Sequence, residues 1–189
     1  MQSPRGRAVE LVTDRFTIRS LRAGDAMGVF ADWIADAELM GALNMPPRRF
    51  AVAELQSFIL AHDDHSRYLT GIFTREGGAL IGVLMIEITH AHQLAKVSGF
   101  LGDRSWWGKS VLEEAGRALF GEFFGKRGMA KATAQVWEKN YAISIPLRRL
   151  GFRVEGLLKD EIRIFDGSGR RSQFILGLLA SDWQADQKP

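Results

Sequence analysis

Apolar and polar residues alternate along Arg15-Phe-Thr-Ile-Arg-Ser-Leu21, the period of two that turns one face of a strand into a core. From Ala23 to about His65 the spacing becomes helical. Val29, Phe30, Trp33 and Ile34 form one group at three- and four-residue intervals, and Leu55, Phe58, Ile59 and Ala61 form another. Met45-Pro46-Pro47-Arg48 breaks this stretch into separate helices. Three strands are predicted next, at Tyr68–Thr74, Leu80–Ile88 and Leu94–Leu101, with Arg75-Glu-Gly-Gly78 as a hairpin turn between the first two. Val111, Leu112, Ala115, Leu119 and Phe123 then share one face of a helix from about Gly108 to Lys126. A strand over Lys131–Val136, a short helix over Tyr141–Leu150 closed by Gly151, and a strand over Arg153–Lys159 follow. Asp166-Gly-Ser-Gly169 turns into a last strand at Ser172–Leu178.

This order predicts a single α+β (mixed α/β) domain around one twisted sheet, spanning residues 11–183 between short tails at 1–10 and 184–189. The strand–helix–strand unit within residues 94–136 requires a crossover, so part of the sheet is expected to be parallel. The aromatics Phe30, Trp33, Phe58, Phe120, Phe123 and Phe124 are assigned to the core.

Composition narrows the chemistry. With 46% hydrophobic and 25% charged residues, the 189-residue chain has the make-up of an ordinary globular domain. It has no cysteine, which excludes disulfides, thiolate metal sites and a cysteine nucleophile. The 25 Lys and Arg exceed the 22 Asp and Glu by only three, and the basic residues are scattered rather than clustered as nucleic-acid binding requires. The first residues are polar, and the longest apolar stretch, Ala79–Ile86, is far too short to span a bilayer. A cytoplasmic protein without a membrane or nucleic-acid partner is expected, as a monomer or homodimer. The histidines form only the pairs His62/His65 and His90/His92, with no third ligand nearby, so no metal is expected.

Two segments carry candidate chemistry. Gly102-Asp-Arg-Ser-Trp-Trp-Gly-Lys-Ser110 joins a strand to the amphipathic helix, and the free N–H groups of a helix start can hold phosphate. Gly108 allows close backbone approach and Lys109 adds a charge; the plainer reading is an ordinary strand-to-helix turn. In Asn140-Tyr-Ala-Ile-Ser144, the two polar residues lie four apart and share a helix face. Asn140 is equally a helix cap and Ser144 a solvated hydroxyl. Glu87, inside the long central strand, is either a buried base or the solvent-facing member of an alternating pair.

The order of elements and four pieces of sequence resemble the GNAT superfamily of acetyl-CoA-dependent N-acetyltransferases, in particular the branch that acetylates the N-termini of ribosomal proteins. The pieces are Arg15–Leu21, Val97-Ser-Gly-Phe-Leu-Gly102, Trp106-Trp-Gly-Lys-Ser110, and Asn140-x-x-x-Ser144 ahead of Leu150-Gly-Phe152; the resemblance covers about residues 10–180. It implies a sheet splayed between two central strands with acetyl-CoA in the gap. The backbone of Phe100 and Leu101 would pair with the pantetheine arm, and the N–H groups of Trp107, Gly108, Lys109, Ser110 and Val111 would hold the pyrophosphate. Asn140 would bind the cofactor near its thioester, and Ser144 would lie near the sulfur as proton donor. The acceptor would be the primary amine of a peptide N-terminus or a small molecule, with Glu87 as candidate base. The chain departs from the family pattern at Ser105 and Ser110 in the phosphate loop, at Lys96 where relatives carry a glutamate, and at Ser98-Gly99 in place of a Gly-aromatic pair. A non-catalytic acyl-CoA-binding module of the same fold is the alternative, and nucleic-acid binding through Arg104, Trp106, Trp107 and Lys109 a more distant one.

Overall fold

In a computed structural model describing residues 6–186, the three apolar runs of the middle of the chain pair in succession as β3 (Arg67–Thr74), β4 (Leu80–Thr89) and β5 (Leu94–Leu101). On their N-terminal side lie β2 (Phe16–Ser20) and then β1 (Glu10–Val12). On the other side come β6 (Lys131–Trp137), β8 (Arg170–Leu179) and finally β7 (Arg153–Arg163). All neighbours in this eight-stranded sheet are antiparallel except β5 and β6. The mixed α/β single-domain expectation is met, parallel pair included.

Each face of the sheet buries its own core. One packs under α4 (Val111–Gly125), α5 (Tyr141–Arg149) and α6 (Ala180–Asp186), around Phe16, Ile72, Leu119, Phe123 and Leu176. The other packs under α1 (Val29–Ala35), α2 (Ala37–Ala42) and α3 (Val52–Leu60), around Phe30, Trp33, Met40, Leu55 and Val83. On β3 the alternation is direct: Tyr68 and Ile72 enter the first core, Leu69 and Phe73 the second. Each large apolar side chain so buried contributes about 1.5–3 kcal/mol.

Two irregularities shape the site. Ile72 pairs with Gly82 but Phe73 with Leu80, which leaves Ile81 as an extra residue on β4. Its carbonyl accepts from both Gly102 N–H (3.0 Å) and Asp103 N–H (3.1 Å), and so fixes where β5 stops and the loop to α4 begins. The second is the parallel pair itself. β5 and β6 pair only at Leu94–Lys131, Ala95–Ala132 and Lys96–Thr133; beyond these the strands continue without pairing.

The ends of the chain are more structured than the expected tails. Val9 is 1% exposed, Glu10–Val12 is a strand, and the carbonyls of Arg7 and Ala8 accept hydrogen bonds from the Arg127 guanidinium. Arg127 also donates to Tyr68 Oη and to buried Glu122, tying the first described residues to the end of α4. At the other end, α6 reaches Asp186, with Trp183 packed on Phe120 and Phe124. Both packings involve residues spread across the chain, which local periodicity does not reveal. Residues 1–5 and 187–189 of the expected tails lie outside the described residues. Of the aromatics assigned to the core, Phe58 is the exception: it is 43% exposed and lines the cavity described below.

Candidate functional site

The parting of β5 and β6 opens a cavity of about 530 Å³. Its walls are Val97–Phe100 of β5 and Ala134–Trp137 of β6, closed on one side by Leu112, Gly116, Leu119 and Phe120 of α4. Past Lys96 the side of β5 that faced β6 carries backbone groups with no strand beside them, an edge that an extended chain can pair with. Phe100 lines the cavity and meets Trp33 edge-on, at 6.0 Å between ring centroids. Leu101 does not line it, and its carbonyl is engaged by Trp107 Nε1–H at 3.0 Å. Of the strand residues that departed from the family pattern, Ser98 and Gly99 line the cavity, whereas Lys96 is exposed and does not.

The edge leads to the loop before α4. Asp103 caps a short 3-10 turn at Arg104–Trp106, and Gly108 (φ 72°) and Ser110 (φ 54°) both take left-handed conformations. Gly108 needs its missing Cβ for this backbone. A Cβ built there would meet nothing within 4 Å, so the space above it is open. The N–H groups of Gly108 and of Ser110 through Glu113 have no hydrogen-bond partner among the described residues, and α4 begins without a side-chain cap. Trp107, Gly108, Lys109 and Ser110 are exposed and stand outside the cavity; Val111 is buried in the core. Unpartnered N–H groups at the positive end of a fifteen-residue helix are the kind of feature that can attract an anion.

This loop is held from behind. Glu114 accepts from the Thr13 hydroxyl (2.6 Å), from Arg15 N–H (3.0 Å) and from Arg15 Nε (2.6 Å), while Arg15 Nη2 donates to the Lys109 carbonyl at 3.0 Å. Burial opposes ionisation of Glu114, but these donors outweigh it and hold its carboxyl below the ordinary value. Arg104 pairs with Asp36 (3.1 Å) and Glu38 (2.8 Å), and Lys109 sits over the Trp106 ring. Both basic residues named for a nucleic-acid surface thus already have partners within the chain.

The catalytic candidates separate. Asn140 occupies the cap position of α5, but its side chain makes no cap bond and it lines the cavity. Ser144 is buried and does not line it; Ile143, one residue earlier and about 100° round the helix, does. Four-residue spacing therefore does not bring the pair to one site, because the cavity follows the face of Asn140, Ile143, Pro146 and Leu147. Glu87 is no buried base: it is exposed, outside the cavity, and in register between Arg67 and Lys96 on the neighbouring strands. It belongs to a surface charge ladder.

Sequence reasoning missed the far wall. Asn44, in a left-handed turn after α2, donates to the Arg163 carbonyl (2.9 Å) and accepts from Phe165 N–H (3.0 Å), latching the β7–β8 hairpin onto the helices. Arg171 and Gln173 of β8 and Ile162 of β7 complete the lining. No local signal marks these residues, since their position depends on the β6–β8 pairing that sets Trp137 opposite Gln173.

The unpaired edge of β5 thus runs from the cavity to the uncapped start of α4. The chain belongs to the GNAT acetyltransferase family: the model of the acetyltransferase (GNAT) domain matches residues 15–153. It is 26% identical over 152 residues to the uncharacterized N-acetyltransferase YoaA of Bacillus subtilis, covering 79% of this chain and 85% of that protein. The spermidine N-acetyltransferase of Vibrio cholerae in complex with CoA and spermine superposes with a TM-score of 0.79 at 20% identity, over 91% of this chain and 99% of that one. The ribosomal-protein-S5-alanine acetyltransferase of Vibrio fischeri gives a TM-score of 0.77 at 18% identity, over 96% and 100%. These likenesses make the chain an N-acetyltransferase of a fold that uses acetyl-CoA. Among the described residues no helix is long and apolar enough to cross a membrane.

Proposed function

We propose that the chain moves an acetyl group from acetyl-CoA to a primary amine, of a small molecule or a peptide N-terminus, in the gap between β5 and β6. The observation that carries this reading is the loss of β5–β6 pairing after Lys96 and Thr133, which leaves an extended edge pointing from the cavity toward free N–H groups at α4. The bound thioester supplies an activated acyl group. The residues present fit it: the open space over Gly108 admits phosphates against the backbone, and the β5 edge admits an amide-bearing arm.

The protein's part is binding, orientation and electrostatics. N–H groups on the open β5 edge are fixed donors for the carbonyl oxygen as it gains charge. The Asn140 amide, the one polar side chain that α5 brings to the cavity, orients the arm at its reacting end. The attacking amine must be neutral, yet among the described residues no Asp, Glu or His lines the cavity. The apolar walls themselves favour the neutral form, because desolvation lowers the pKa of an ammonium group. The ammonium proton is then lost to solvent as the amine enters, with no protein base required. The C–N bond forms as the thioester C–S bond breaks, and the second proton shed by the nitrogen passes through solvent to the thiolate, which leaves as the free thiol.

The test is a thermal shift with acetyl-CoA and CoA, together with thiol release across an amine library. Saturating acetyl-CoA should stabilise the fold by about 2.7 kcal/mol at 100 times its Kd. No shift with either ligand overturns the reading, and binding without amine-dependent thiol release replaces it by an acyl-CoA-binding module.

A further inference from the structure

The acceptor half of the cavity has an unusual charge pattern. Its walls are Phe30, Ile34, Met40, Phe50, Leu55 and Phe58 from α1–α3 and their connection, facing the β7–β8 hairpin. Among the described residues Arg171 is the only charged side chain in the whole lining. Its guanidinium stands over the Trp137 ring, 4.2 Å from the centroid, and no described carboxylate lies within salt-bridge distance. Nor does its side chain donate a hydrogen bond to any described residue, while Asn44, also in the lining, spends both its amide groups on the hairpin latch. The Asp166 carboxylate acts on it only at longer range, so this planar cation, partly buried and stacked, has no carboxylate in contact and is a ready partner for one.

We infer that the acceptor is a small-molecule primary amine with a bulky apolar body and a carboxylate that pairs with Arg171, and not a polyamine. The inference rests on the transferase reading for the role of the amine. It rests on the lining alone for the apolar body and the anion. A polyamine brings a second ammonium into a wall with no acidic partner, where its desolvation goes uncompensated. An amine with an aromatic or branched aliphatic body instead replaces water against six large apolar side chains.

The test uses binding, read by calorimetry on the full chain with and without CoA, and matched probes. L-Phenylalanine and 2-phenylethylamine differ by the carboxylate alone; spermidine supplies the polycation. L-Phenylalanine should bind about tenfold tighter than 2-phenylethylamine, and spermidine weakest of the three. Arg171→Gln should bring the first two within about twofold by weakening only the carboxylated probe, and Arg171→Lys should restore part of the difference. Circular dichroism checks that each variant folds; if Arg171→Gln does not, the Arg171→Lys comparison and the wild-type ratios decide. A ratio unchanged in both variants, or spermidine binding as tightly as 2-phenylethylamine, overturns the inference. Absence of CoA binding, measured in the same titrations, would remove the transferase reading while leaving the probe ratios readable.

Discussion

The two halves of the candidate site are built from different materials. The half assigned to the cofactor, from β5 through the loop to α4, presents mainly backbone: a strand edge, a left-handed glycine and the free N–H groups of a helix start. The opposite half presents side chains carried by three short helices and a hairpin that meet only through tertiary packing, with Asn44 bridging them. Backbone recognition depends on where strands and helices begin and end, so it tolerates changes of side chain. Side-chain recognition depends on which residues the fold happens to face inward. The first half is fit for a ligand shared by a whole family, the second for an acceptor particular to this chain.

The sharpest way to break that contrast is at Gly108. Gly108→Asp puts a carboxylate at the positive end of α4, and CoA affinity should fall about 100-fold or more by calorimetry. Gly108→Ala separates charge from conformation, since alanine at φ 72° costs roughly 1–2 kcal/mol of strain but adds no charge and meets open space. It should retain CoA binding within about tenfold of wild type. If both variants fold and Gly108→Asp binds CoA normally, the phosphates lie elsewhere and the backbone half has been misplaced.

The same contrast governs what the sequence discloses. The period of two in Arg15–Leu21 and the helical stripe Val111–Phe123 are short-range patterns, and the structure has a strand and a helix there. Gly108 and the strand-to-helix change around it mark the loop because glycine tolerance and helix starts are local facts. Ser144 shows the limit: a four-residue spacing puts two residues on one helix face, but only the packing of α5 against α4 decides which face sees the gap. Glu87 in its apolar strand could be a buried base or a solvent-facing residue, and only its register between Arg67 and Lys96 places it among surface charges. Arg171 is one of 25 basic residues and nothing beside it in the chain sets it apart.

Asn140 and Ser144 offer a finer cut. The Asn140 side chain caps nothing and lines the cavity, so Asn140→Ala should change stability by less than about 0.5 kcal/mol while weakening CoA binding about tenfold. Ser144→Ala should leave single-turnover acetyl transfer within about twofold of wild type, because Ser144 is buried and does not line the cavity. A fall of about 10–100-fold in Ser144→Ala with an unchanged melting temperature would instead make that hydroxyl the donor of a proton to the leaving thiolate.

The smallest expected effect concerns the brace behind the loop. Glu114 is held ionised below its ordinary value of 4.5: burial opposes the charge, and the Thr13 hydroxyl, Arg15 N–H and Arg15 guanidinium prevail over it. A carboxylate whose pKa is lower in the folded than in the unfolded state adds stability above the unfolded value and loses it as pH falls through the folded one. Glu114→Gln should therefore melt below wild type at neutral pH, and the two curves should converge as pH drops below about 4.5. Side-chain exposures of 41% for Arg15 and 22% for Glu114 limit the effect to roughly 1 kcal/mol. Arg15 also holds the Lys109 carbonyl, so the variant tests whether the backbone half is pre-formed. If the N–H groups owe their positions to this brace, CoA affinity in Glu114→Gln should fall a few-fold at neutral pH, in step with the lost stability. Unchanged affinity at lower stability would mean that the left-handed turn at Gly108 and Ser110 sets the loop by itself, and that the brace serves the fold alone.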